Sequence, residues 1–444
     1  MQEIVLTGLS PAEHLSAMLE ARTARVGILG LGYVGLPTAV EFGRAGFPVL
    51  GFEVDAARAE AVNAGRSHVC DVPDEVLAPL VKGRRLQATV DEGRMQECDV
   101  LIICVPTPLT STKQPDLSYV HRAVDSIARS VRRGQLVILE STTYPGTTEE
   151  VVLPRLRETG LVVGGEVFVA FAPERLDPGN RSGFREVPKV VGGHTPACTR
   201  LACQLYEHVV DRTVPVSSPT VAEMVKCYEN VFRNVNIALV NELALLCDRM
   251  ELDVWEIIDA AATKPYGFMP FYPGPGVGGH CIPVDPYYLA AKAREHDFHL
   301  KFIEVAAQVN DSMPYYTCSK VVAALSRHGK SIQGARVLVL GATYKPDVPD
   351  VRESPALKVM ALLRKRGAEV SFHDPYVAEV VLPNPGTCLR AVELTQEVLR
   401  SADCVVIATN HRCYDYVWIA GGARLVVDTR NALRGVRNGN VVTL

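Results

Sequence analysis

Short apolar runs alternate with longer mixed stretches along the first half of the chain. Five runs are almost wholly apolar and are followed by glycine or small polar residues, which predicts buried strands that end at loops. These runs cover residues 25–29, 48–52, 100–105, 136–139 and 167–171. A helical stretch that ends at Arg44 and Gly46 separates the first two runs. The pattern predicts an α/β domain built on parallel strands.

The pattern changes after Ser217 and Ser218. Residues 220–250 contain neither glycine nor proline, Pro219 suits a first helical turn, and either serine can cap it. We predict one helix of about 30 residues, roughly 45 Å long. Its apolar positions surround most of the helix, which predicts burial on several sides, and they are Val225, Val231, Ile237, Leu239, Leu243 and Leu246. Two explanations stay open: a core helix that joins two domains, and a helix that pairs with its copy in a homodimer.

The C-terminal part of the chain repeats the pattern of the first domain. Residues 335–341, 366–370, 402–408 and 422–430 match residues 24–30, 44–48, 98–104 and 134–142. Their order predicts a second doubly wound α/β domain. Between the two domains, residues 253–262 and 287–328 are predicted to be helical.

The turn after the first strand carries a dinucleotide-binding pattern. Gly30, Gly32 and Gly35 form GxGxxG between a strand and a helix, with Tyr33 and Val34 inside the motif. The glycines allow a tight turn, close approach of a pyrophosphate, and packing of the helix on the strand.

An acid follows the second predicted strand. Glu53 stands where a carboxylate can accept hydrogen bonds from a ribose diol and repel a 2′-phosphate. The pattern therefore predicts NAD as cofactor in preference to NADP. Arg58 is predicted to stack on the adenine, with a solvated arginine as the alternative.

Small polar residues follow the later strands, where the carboxyl ends of parallel strands meet ligands. Pro106 and Thr107 follow the third run, Thr142 follows the fourth, and Glu174 and Arg175 follow the fifth. For Glu174, an ion pair with Arg175 or another neighbour is the alternative.

Residues 273–286 are predicted to form a fixed, irregular loop around Cys281. Glycines remove side chains before the thiol and prolines stiffen the exit, at Gly274, Gly276, Gly278, Gly279, Pro283 and Pro286. Such a loop lets a substrate approach the thiol, and Asp285 is placed to transfer a proton or to orient water. A loop with a buried, inert cysteine is the alternative.

Lys226 and Asn230 lie one turn apart on the predicted long helix and share a face. Both side chains donate hydrogen bonds, which suits an oxygen that becomes negative during a reaction. We therefore expect them beside the reacting carbonyl group.

The first turn of the second α/β domain, residues 341–347, lacks GxGxxG. A nucleotide there would have its charge met by side chains such as Lys345, Arg352 and Arg430. Surface salt bridging is the alternative for each of the three.

Composition excludes several classes of function. The length of 444 residues suggests two to four domains. The chain has 46 Lys plus Arg and 50 Asp plus Glu, a net charge of −4, which predicts that it binds neither nucleic acid nor an anionic membrane surface. The 12 cysteines lack CxxC pairs, which predicts reduced thiols in a cytoplasmic protein without a clustered metal site. Neither a signal peptide nor a membrane span is indicated.

Together, these motifs resemble the UDP-glucose/GDP-mannose dehydrogenase family, nucleotide-sugar 6-dehydrogenases that use NAD. The likeness covers residues 24–435, and its most specific parts are residues 279–285, 223–236 and 345–355. The resemblance implies Cys281 as nucleophile, Lys226 and Asn230 as oxyanion stabilisers, and Glu174, Thr142 and Asp285 as groups that manage water and protons. It implies a UDP-sugar substrate contacted by Glu174, Arg175, Lys226, Asn230, Tyr272, Gly278, Lys345, Arg352 and Arg430.

The fold implied by this resemblance has two Rossmann-like domains joined by a long central helix and a helical middle domain. We expect a leader at 1–24 that is helical from 11 to 20, an NAD-binding domain at 25–216, a dimerising helical domain at 217–329, and a UDP-sugar domain at 330–444. Family members often lend an arginine across the dimer, and Lys264 stands near that position here. This departure leaves the inter-subunit contact undetermined.

Oxidation of an alcohol to an acid requires the removal of two hydrides, and the intermediate aldehyde has no hydride to lose until a nucleophile adds to its carbonyl carbon. A thiol can be that nucleophile. A one-step hydroxyacid or sugar-phosphate dehydrogenase would leave Cys281 without a role. A binding protein that responds to NAD without turnover would leave Lys226, Asn230 and Glu174 without one.

For the sugar, residues 172–180 and 264–276 look most like members that oxidise UDP-N-acetylhexosamines. Large apolar side chains at Tyr266, Phe268, Met269, Phe271 and Tyr272 can pack an acetamido methyl group or can anchor the loop. Burial of one methyl group contributes only about 1 kcal/mol, so strong selectivity also needs a hydrogen bond to the amide. The predicted order is UDP-N-acetylglucosamine, UDP-N-acetylmannosamine, then UDP-glucose.

Overall fold

A computed structural model describes residues 9–110, 113–176, 183–279, 282–383, 386–436 and 439–444. The helices are α1 (Pro11–Glu20), α2 (Gly35–Arg44), α3 (Ala56–Asn63), α4 (Asp74–Lys82), α5 (Ser118–Ser130), α6 (Leu153–Arg157), α7 (Pro196–Tyr206), α8 (Pro219–Met250), α9 (Val254–Ala262), α10 (Asp285–Glu295), α11 (Lys301–Arg327), α12 (Pro355–Lys365), α13 (Gln396–Ser401) and α14 (Tyr416–Gly422).

The strands are β1 (Val26–Leu29), β2 (Val49–Phe52), β3 (Leu86–Thr89), β4 (Val100–Ile103), β5 (Leu136–Leu139), β6 (Phe168–Phe171), β7 (Lys189–Gly193), β8 (Thr213–Val216), β9 (Arg336–Leu340), β10 (Glu369–His373), β11 (Glu379–Val381), β12 (Cys388–Arg390), β13 (Cys404–Ile407), β14 (Val426–Asp428) and β15 (Val441–Thr443).

The chain divides into two compact units. The first contains the residues through Glu229 together with Tyr287–His296, and the second contains Asn230–Pro286 and Asp297–Leu444. The predicted division into four segments at residues 24, 216 and 329 stays a proposal.

The first unit is built on an eight-stranded sheet in the order β3-β2-β1-β4-β5-β6-β7-β8. Its strand pairs are parallel except β6 with β7, which are antiparallel. Val26 of β1 lies opposite Val49 of β2 and Val100 of β4. The strand order reverses between β1 and β4, so a crevice for a ligand lies beyond the carboxyl ends of these two strands. The predicted α/β class is confirmed.

Helix α1 is fixed at its start by a reciprocal cap. The Ser10 hydroxyl accepts a hydrogen bond from the Glu13 N–H, and the Glu13 carboxylate accepts one from the Ser10 N–H. Leu15 and Leu19 are buried in the core of the first unit. The leader is helical over 11–20 as predicted, and it packs as part of this unit.

The second unit contains a parallel five-stranded sheet in the order β10-β9-β13-β14-β15 and a small hairpin of β11 and β12. Val337 of β9 lies opposite Val370 of β10 and Cys404 of β13. The second doubly wound domain that the repeated pattern predicts is therefore present. Residues 287–328, predicted as helical, form all but the first two residues of α10 and the whole of α11, with a break at 296–300 that the prediction lacked.

Helix α8 spans 32 residues, and the Ser218 hydroxyl accepts a hydrogen bond from the Val221 N–H at its start, 3.2 Å away. Both features agree with the sequence prediction. One stripe of apolar side chains is exposed in the single chain, and it consists of Val221, Met224, Tyr228, Phe232, Leu239, Leu246 and Met250. Val231 is buried within the chain, whereas Leu239 and Leu246 are 63% and 52% exposed in the single chain. The predicted burial of Leu239 and Leu246 therefore stays a prediction that depends on pairing with a second copy.

Three strands of the first sheet have no counterpart among the predicted runs. Strand β3 alternates buried with less buried residues, β7 begins with a lysine and ends with two glycines, and β8 is only partly buried. None of them is a wholly apolar run, so a search for apolar runs does not detect them.

None of the helices in the described ranges combines the length and apolarity that a membrane crossing requires.

Candidate active site

The turn between β1 and α2 is shaped by its glycines. Gly30 has a φ of +92°, in the left-handed region that favours glycine. A Cβ atom on Gly35 would lie 1.8 Å from the carbonyl oxygen of Gly30, so α2 can start this close to the turn only with glycine at that position. A Cβ atom on Gly32 would meet no described atom within 4 Å. Tyr33, between them, is exposed, and Val34 is partly buried.

Glu53 follows β2 and is 7% exposed. Its carboxylate accepts hydrogen bonds from the Leu31 and Asp55 N–H groups, each at 3.2 Å, which fixes it beside the glycine turn. Arg58 lies 3.6 Å from the Asp55 carboxylate with its side chain 54% exposed. The open backbone at Gly32 and the anchored carboxylate fit the pyrophosphate and a ribose of NAD.

The polar tips of β4 and β5 are joined. The Thr107 hydroxyl donates a hydrogen bond to the Thr142 carbonyl oxygen at 2.7 Å, and Thr107 is buried. The Tyr288 hydroxyl donates to the Thr107 carbonyl oxygen at 3.0 Å. Pro106, next to Thr107, is exposed. The structure thus brings together Thr107 and Thr142, two residues that the sequence placed at separate strand ends.

The segment after Thr142 is tied to helix α8 by Glu223. Its buried carboxylate accepts hydrogen bonds from the Gly146 N–H at 2.5 Å, the Thr148 N–H at 2.8 Å and the Thr148 hydroxyl at 2.6 Å. Burial raises the pKa of Glu223, and these donors oppose the rise. Cys227 adds a contact from its thiol to the Thr143 carbonyl oxygen at 3.3 Å. Glu223 therefore positions this segment against the helix that carries Lys226.

Glu174, at the end of β6, is held from several sides. It accepts hydrogen bonds from the N–H groups of Arg175 at 2.8 Å and Leu176 at 2.6 Å, and it lies 3.1 Å from the ammonium of Lys189. An ion pair with a neighbour, the alternative weighed for Glu174, is therefore formed with Lys189. The Arg175 guanidinium instead pairs with Glu229 and donates to a backbone carbonyl oxygen.

In the second unit, the Asn230 amide donates a hydrogen bond to the Asp285 carboxylate, and both side chains are buried. Asp285 is the first residue of α10. The structure brings together these two predicted catalytic residues. Lys226, one turn before Asn230 on α8, is also buried, at 7% exposure.

Three buried asparagines, which the sequence did not single out for a role, hold the predicted thiol loop. The Asn241 amide accepts a hydrogen bond from the Gly274 N–H at 3.0 Å and donates to the Asn310 side chain at 2.9 Å. Asn310 donates to the Asn234 carbonyl oxygen, and the Asn234 side chain donates to the Ile282 carbonyl oxygen, each at 3.1 Å. Cys281 itself lies outside the described residues. Backbone on both sides of it is held by one connected network.

The glycines of this loop let it pack against the first turn of the second α/β domain. A Cβ atom on Gly278 would lie 2.6 Å from the Tyr344 side chain and 2.9 Å from the Glu353 carbonyl oxygen. Gly279 has a φ of +89°, and its N–H donates to the Arg352 carbonyl oxygen at 3.0 Å. Side chains at these positions would separate the loop from the turn.

The three cations predicted to meet a nucleotide differ in their surroundings. The Arg352 side chain is paired with the Asp350 carboxylate, with contacts of 2.6 and 3.0 Å, as the salt-bridge alternative anticipated. The Arg430 guanidinium lies 2.5 Å from the Cβ position of Gly274 and donates to the Ala408 carbonyl oxygen at 3.0 Å. Burial lowers the pKa of Arg430 to about 10, so it is charged at neutral pH. Lys345 is partly buried.

Tyr272 is anchored by its neighbours. Its ring stacks on Trp255 with a centroid distance of 5.8 Å, and its hydroxyl lies 3.3 Å from the Asp259 carboxylate. The loop-anchoring alternative therefore accounts for this side chain, although its ring is 47% exposed. Nearby, the Lys264 ammonium lies 5.2 Å from the Tyr266 ring centroid.

An acid follows the second strand of the second α/β domain, as Glu53 follows β2 in the first. Asp374 follows β10 and accepts hydrogen bonds from the N–H groups of Ala342 at 2.7 Å, Thr343 at 3.2 Å and Tyr376 at 2.9 Å. It also accepts one from His411 Nε2 at 3.0 Å, because His411 Nδ1 accepts the Asp347 N–H and leaves the ring proton on Nε2. Burial opposes ionisation of Asp374, but these donors hold its pKa below the ordinary value.

Two α/β domains, a glycine turn that fits NAD, and a helix with a buried lysine and asparagine define an NAD-dependent dehydrogenase. The chain belongs to the UDP-glucose/GDP-mannose dehydrogenase family and is a nucleotide-sugar dehydrogenase. Its NAD binding domain matches at residues 24–210, its central domain at 220–312 and its UDP binding domain at 338–435. In the described ranges, no group of three or more His, Cys, Asp or Glu side chains could hold a metal ion.

Relatives of known name cover most of the chain. UDP-N-acetyl-D-mannosamine dehydrogenase of Pyrococcus horikoshii is 38% identical over 94% of this chain and 100% of its own length. UDP-N-acetyl-D-glucosamine 6-dehydrogenase of Pseudomonas aeruginosa is 39% identical over 80% of this chain and 83% of its own. The solved structure of UDP-D-ManNAc dehydrogenase from Pyrococcus horikoshii superimposes with a TM-score of 0.87 at 35% identity, covering 94% of this chain and 98% of that one.

Two glycine substitutions should separate cofactor binding from folding. Gly32→Ala places a methyl group in open space where the pyrophosphate would lie, so it should weaken NAD binding by about tenfold or more while leaving the melting temperature unchanged. Gly35→Ala drives a Cβ atom into the Gly30 carbonyl, so it should lower the melting temperature itself. Calorimetric titration and thermal unfolding measure both effects. Wild-type NAD affinity in Gly32→Ala would contradict this placement of the cofactor.

Proposed function

We propose that this enzyme oxidises the C6 hydroxyl of a UDP-N-acetylhexosamine to a carboxylate, with Cys281 as nucleophile and two NAD per sugar. The observation that carries the proposal is the asparagine network on both sides of Cys281. Asn241 holds the Gly274 N–H and Asn234 holds the Ile282 carbonyl oxygen. Buried, connected amides of this kind fix a backbone in one position, and a nucleophile needs such a position for covalent catalysis.

The thiol supplies what the second oxidation lacks. An aldehyde carries no hydride that NAD can accept until a nucleophile has added to its carbonyl carbon. Addition of the Cys281 sulfur gives a thiohemiacetal, loss of hydride gives a thioester, and water releases the acid. NAD, when bound, supplies the hydride acceptor for both oxidations. A one-step dehydrogenase has no use for this thiol.

The groups near the reacting carbon divide into two roles. Lys226 and Asn230, one turn apart on α8 and both buried, would donate to the developing oxyanion, and each such donor typically contributes about 10²- to 10³-fold. Glu174, Thr142 and Asp285 would manage water and protons. The hydrogen bond from the Asn230 amide to the Asp285 carboxylate supports these two roles. It orients the amide, and because the amide is uncharged, it leaves the negative charge of Asp285 in place.

Cys281→Ala should abolish acid production while leaving NAD and sugar affinity within about twofold, because the substitution removes only a sulfur atom. NADH and acid yields per sugar, measured by absorbance and chromatography, test this. Cys388→Ala is the matched control, since Cys388 is an exposed thiol on β12. It should keep two NADH per sugar. Full acid yield from Cys281→Ala would contradict the covalent route.

The sugar is proposed from the apolar residues before the thiol loop. Tyr266, Phe268 and Met269 are 73%, 44% and 62% exposed, so their side chains are available to an acetamido methyl group. Phe271, in contrast, packs against Phe232. The relatives from Pyrococcus horikoshii and Pseudomonas aeruginosa are named for the two epimeric N-acetyl sugars, which supports the class and leaves two candidates. We place UDP-N-acetylglucosamine first and UDP-N-acetylmannosamine second.

The three sugars should rank as UDP-N-acetylglucosamine, UDP-N-acetylmannosamine, then UDP-glucose in kcat/KM. The first should exceed UDP-glucose by more than the roughly fivefold that one buried methyl group contributes, because an amide hydrogen bond adds to it. Initial rates of NADH formation with each sugar measure the ranking. Fastest turnover of UDP-glucose would contradict the sugar assignment while leaving the mechanism intact.

We also propose a homodimer that forms through the exposed stripe of α8. This stripe includes Phe232, Leu239 and Leu246, and an apolar stripe along a helix marks an interaction surface. The proposed occupant is the same stripe of a second copy, because a two-fold axis lets one long helix face itself.

Leu239→Glu combined with Leu246→Glu should convert the dimer to a monomer, since four carboxylates would then meet at the two-fold interface. Sedimentation velocity should show a change from twice the chain mass to once. Val417→Glu is the matched control, because Val417 on α14 is 69% exposed and lies on the UDP-binding domain. A wild-type protein that sediments as a monomer would contradict the proposal.

A further inference from the structure

Three charged side chains meet in the interior of the first unit. Glu140 follows β5, Glu174 follows β6, and Lys189 opens β7. Strand β7 is antiparallel to β6, with Gly192 opposite Phe171, so its first residue lies at the same edge as the ends of β5 and β6. This single reversal in the sheet explains why a lysine meets the two carboxylates.

The cluster is closed to water around Lys189. The Lys189 ammonium contacts the Glu140 carboxylate and lies 3.1 Å from the Glu174 carboxylate, with side-chain exposures of 4%, 0% and 14% in that order. The Tyr206 hydroxyl donates to Glu140 at 3.1 Å, and the Cys104 thiol lies 3.8 Å from the same carboxylate. A buried, charged lysine is costly unless it is paired, so Lys189 must stabilise the ionised form of one or both carboxylates.

The two carboxylates are not equivalent. Glu174 accepts two backbone N–H groups besides Lys189, and the Lys226 ammonium adds a further favourable charge. Burial opposes ionisation of Glu174, but Lys189, the Leu176 N–H and Lys226 outweigh it and hold its pKa below the ordinary value. Burial raises the pKa of Glu140 to about 7, against the attraction of Lys189. Glu174 is therefore the carboxylate of the pair that stays ionised.

We propose that Lys189, held in place by Glu140, is a positioning residue that keeps Glu174 ionised as the base for the last chemical step. This inference rests on the proposed function. In that step the oxygen of a water molecule bonds to the thioester carbon, the carbon–sulfur bond breaks, and the sulfur leaves as thiolate. One proton of the water passes to Glu174. A neutral Glu174 could not accept that proton.

The test compares Glu140→Gln with the double variant Glu140→Gln, Lys189→Met. The double variant removes both charges of the buried pair and so leaves no unpaired ion at position 189 or 140. Without the cation, burial of Glu174 dominates and raises its pKa, so the acid limb of kcat for release of the acid product should move upward by about 1 to 3 pH units. In Glu140→Gln the limb should stay at or below its wild-type position, because Lys189 remains and the glutamine amide oxygen can still accept its hydrogen bond.

A purely structural role predicts something else: a lower kcat with the acid limb unmoved in both variants, and that result would overturn the inference. Lys189→Arg should keep the wild-type limb because the charge remains. Lys330→Met is the matched control, since it breaks another lysine–carboxylate contact, 2.7 Å to Asp403 in the second unit, and should leave the limb in place. An upward shift in Glu140→Gln alone would also overturn the inference.

A second measurement needs no activity. With Lys189 present, the pKa of Glu174 is depressed by folding, so its contribution to stability is present at neutral pH and lost as pH falls through the folded pKa. In the double variant its pKa is raised, so that loss is absent. The melting temperature of Glu140→Gln minus that of the double variant should therefore shrink as pH falls, and a constant difference would count against the inference.

The proposed function and this inference fail in different ways. A wild-type enzyme that yields one NADH per sugar, with no acid, contradicts the proposed function. A wild-type enzyme that yields acid, while the two variants share its acid limb, contradicts only the role of Lys189.

Discussion

Helix α8 imposes the constraint on which the catalytic architecture depends, because its buried side carries polar groups. Glu223, Lys226, Asn230, Asn234 and Asn241 are all 7% exposed or less. A buried polar group without a partner is costly, so a buried polar side chain constrains the segment that supplies its partner. Glu223 fixes the segment after β5, Asn230 fixes the start of α10, and the two later asparagines fix the thiol loop. Apolar side chains of the same helix are left at the surface of the single chain, the reverse of an ordinary surface helix.

The parts of the fold that could be predicted are those with a local pattern in the sequence. The strands β1, β2, β4, β5 and β6 are continuous apolar runs, and the GxGxxG turn is a local pattern, so sequence alone located them. Helix α8 was predicted to within one residue because no glycine or proline interrupts it. Which of its sides is covered within the chain was not predicted, because the apolar positions surround most of the helix and do not distinguish a side that packs within the chain from one that faces a second copy.

Site residues were predictable where a chemical role showed in the sequence and unpredictable where a distant partner created it. Glu174, Asn230 and Asp285 were predicted as candidate site residues from motifs, and the structure supplies their contacts. The buried contacts of Lys189 with Glu140 and Glu174 were not predicted, although a lysine at the start of the run 189–193, with two valines behind it, is a usable signal of a buried charge. Asn310 was missed because its partners are Asn234 and Asn241, far away in the chain. Arg175, expected near the substrate, pairs with Glu229, a partner 54 residues away that the sequence did not identify, whereas Arg352 pairs with Asp350, only two residues away.

The two α/β domains share a plan and differ in how much of it is left available. Glu53 and Asp374 follow equivalent strands, and each accepts the N–H of the residue after the first glycine of its turn, Leu31 or Ala342. Among the described residues, Asp374 accepts four hydrogen bonds, including those from the Thr343 and Tyr376 N–H groups and the His411 ring, whereas Glu53 accepts two. Introducing GxGxxG into the second turn, in order to engineer a second dinucleotide site, would supply the glycine turn for the pyrophosphate. The carboxylate that would bind the ribose, Asp374, would still be hydrogen-bonded to the protein. Engineering a dinucleotide site in this domain would therefore also require a substitution at His411, which lies on a loop outside the GxGxxG motif.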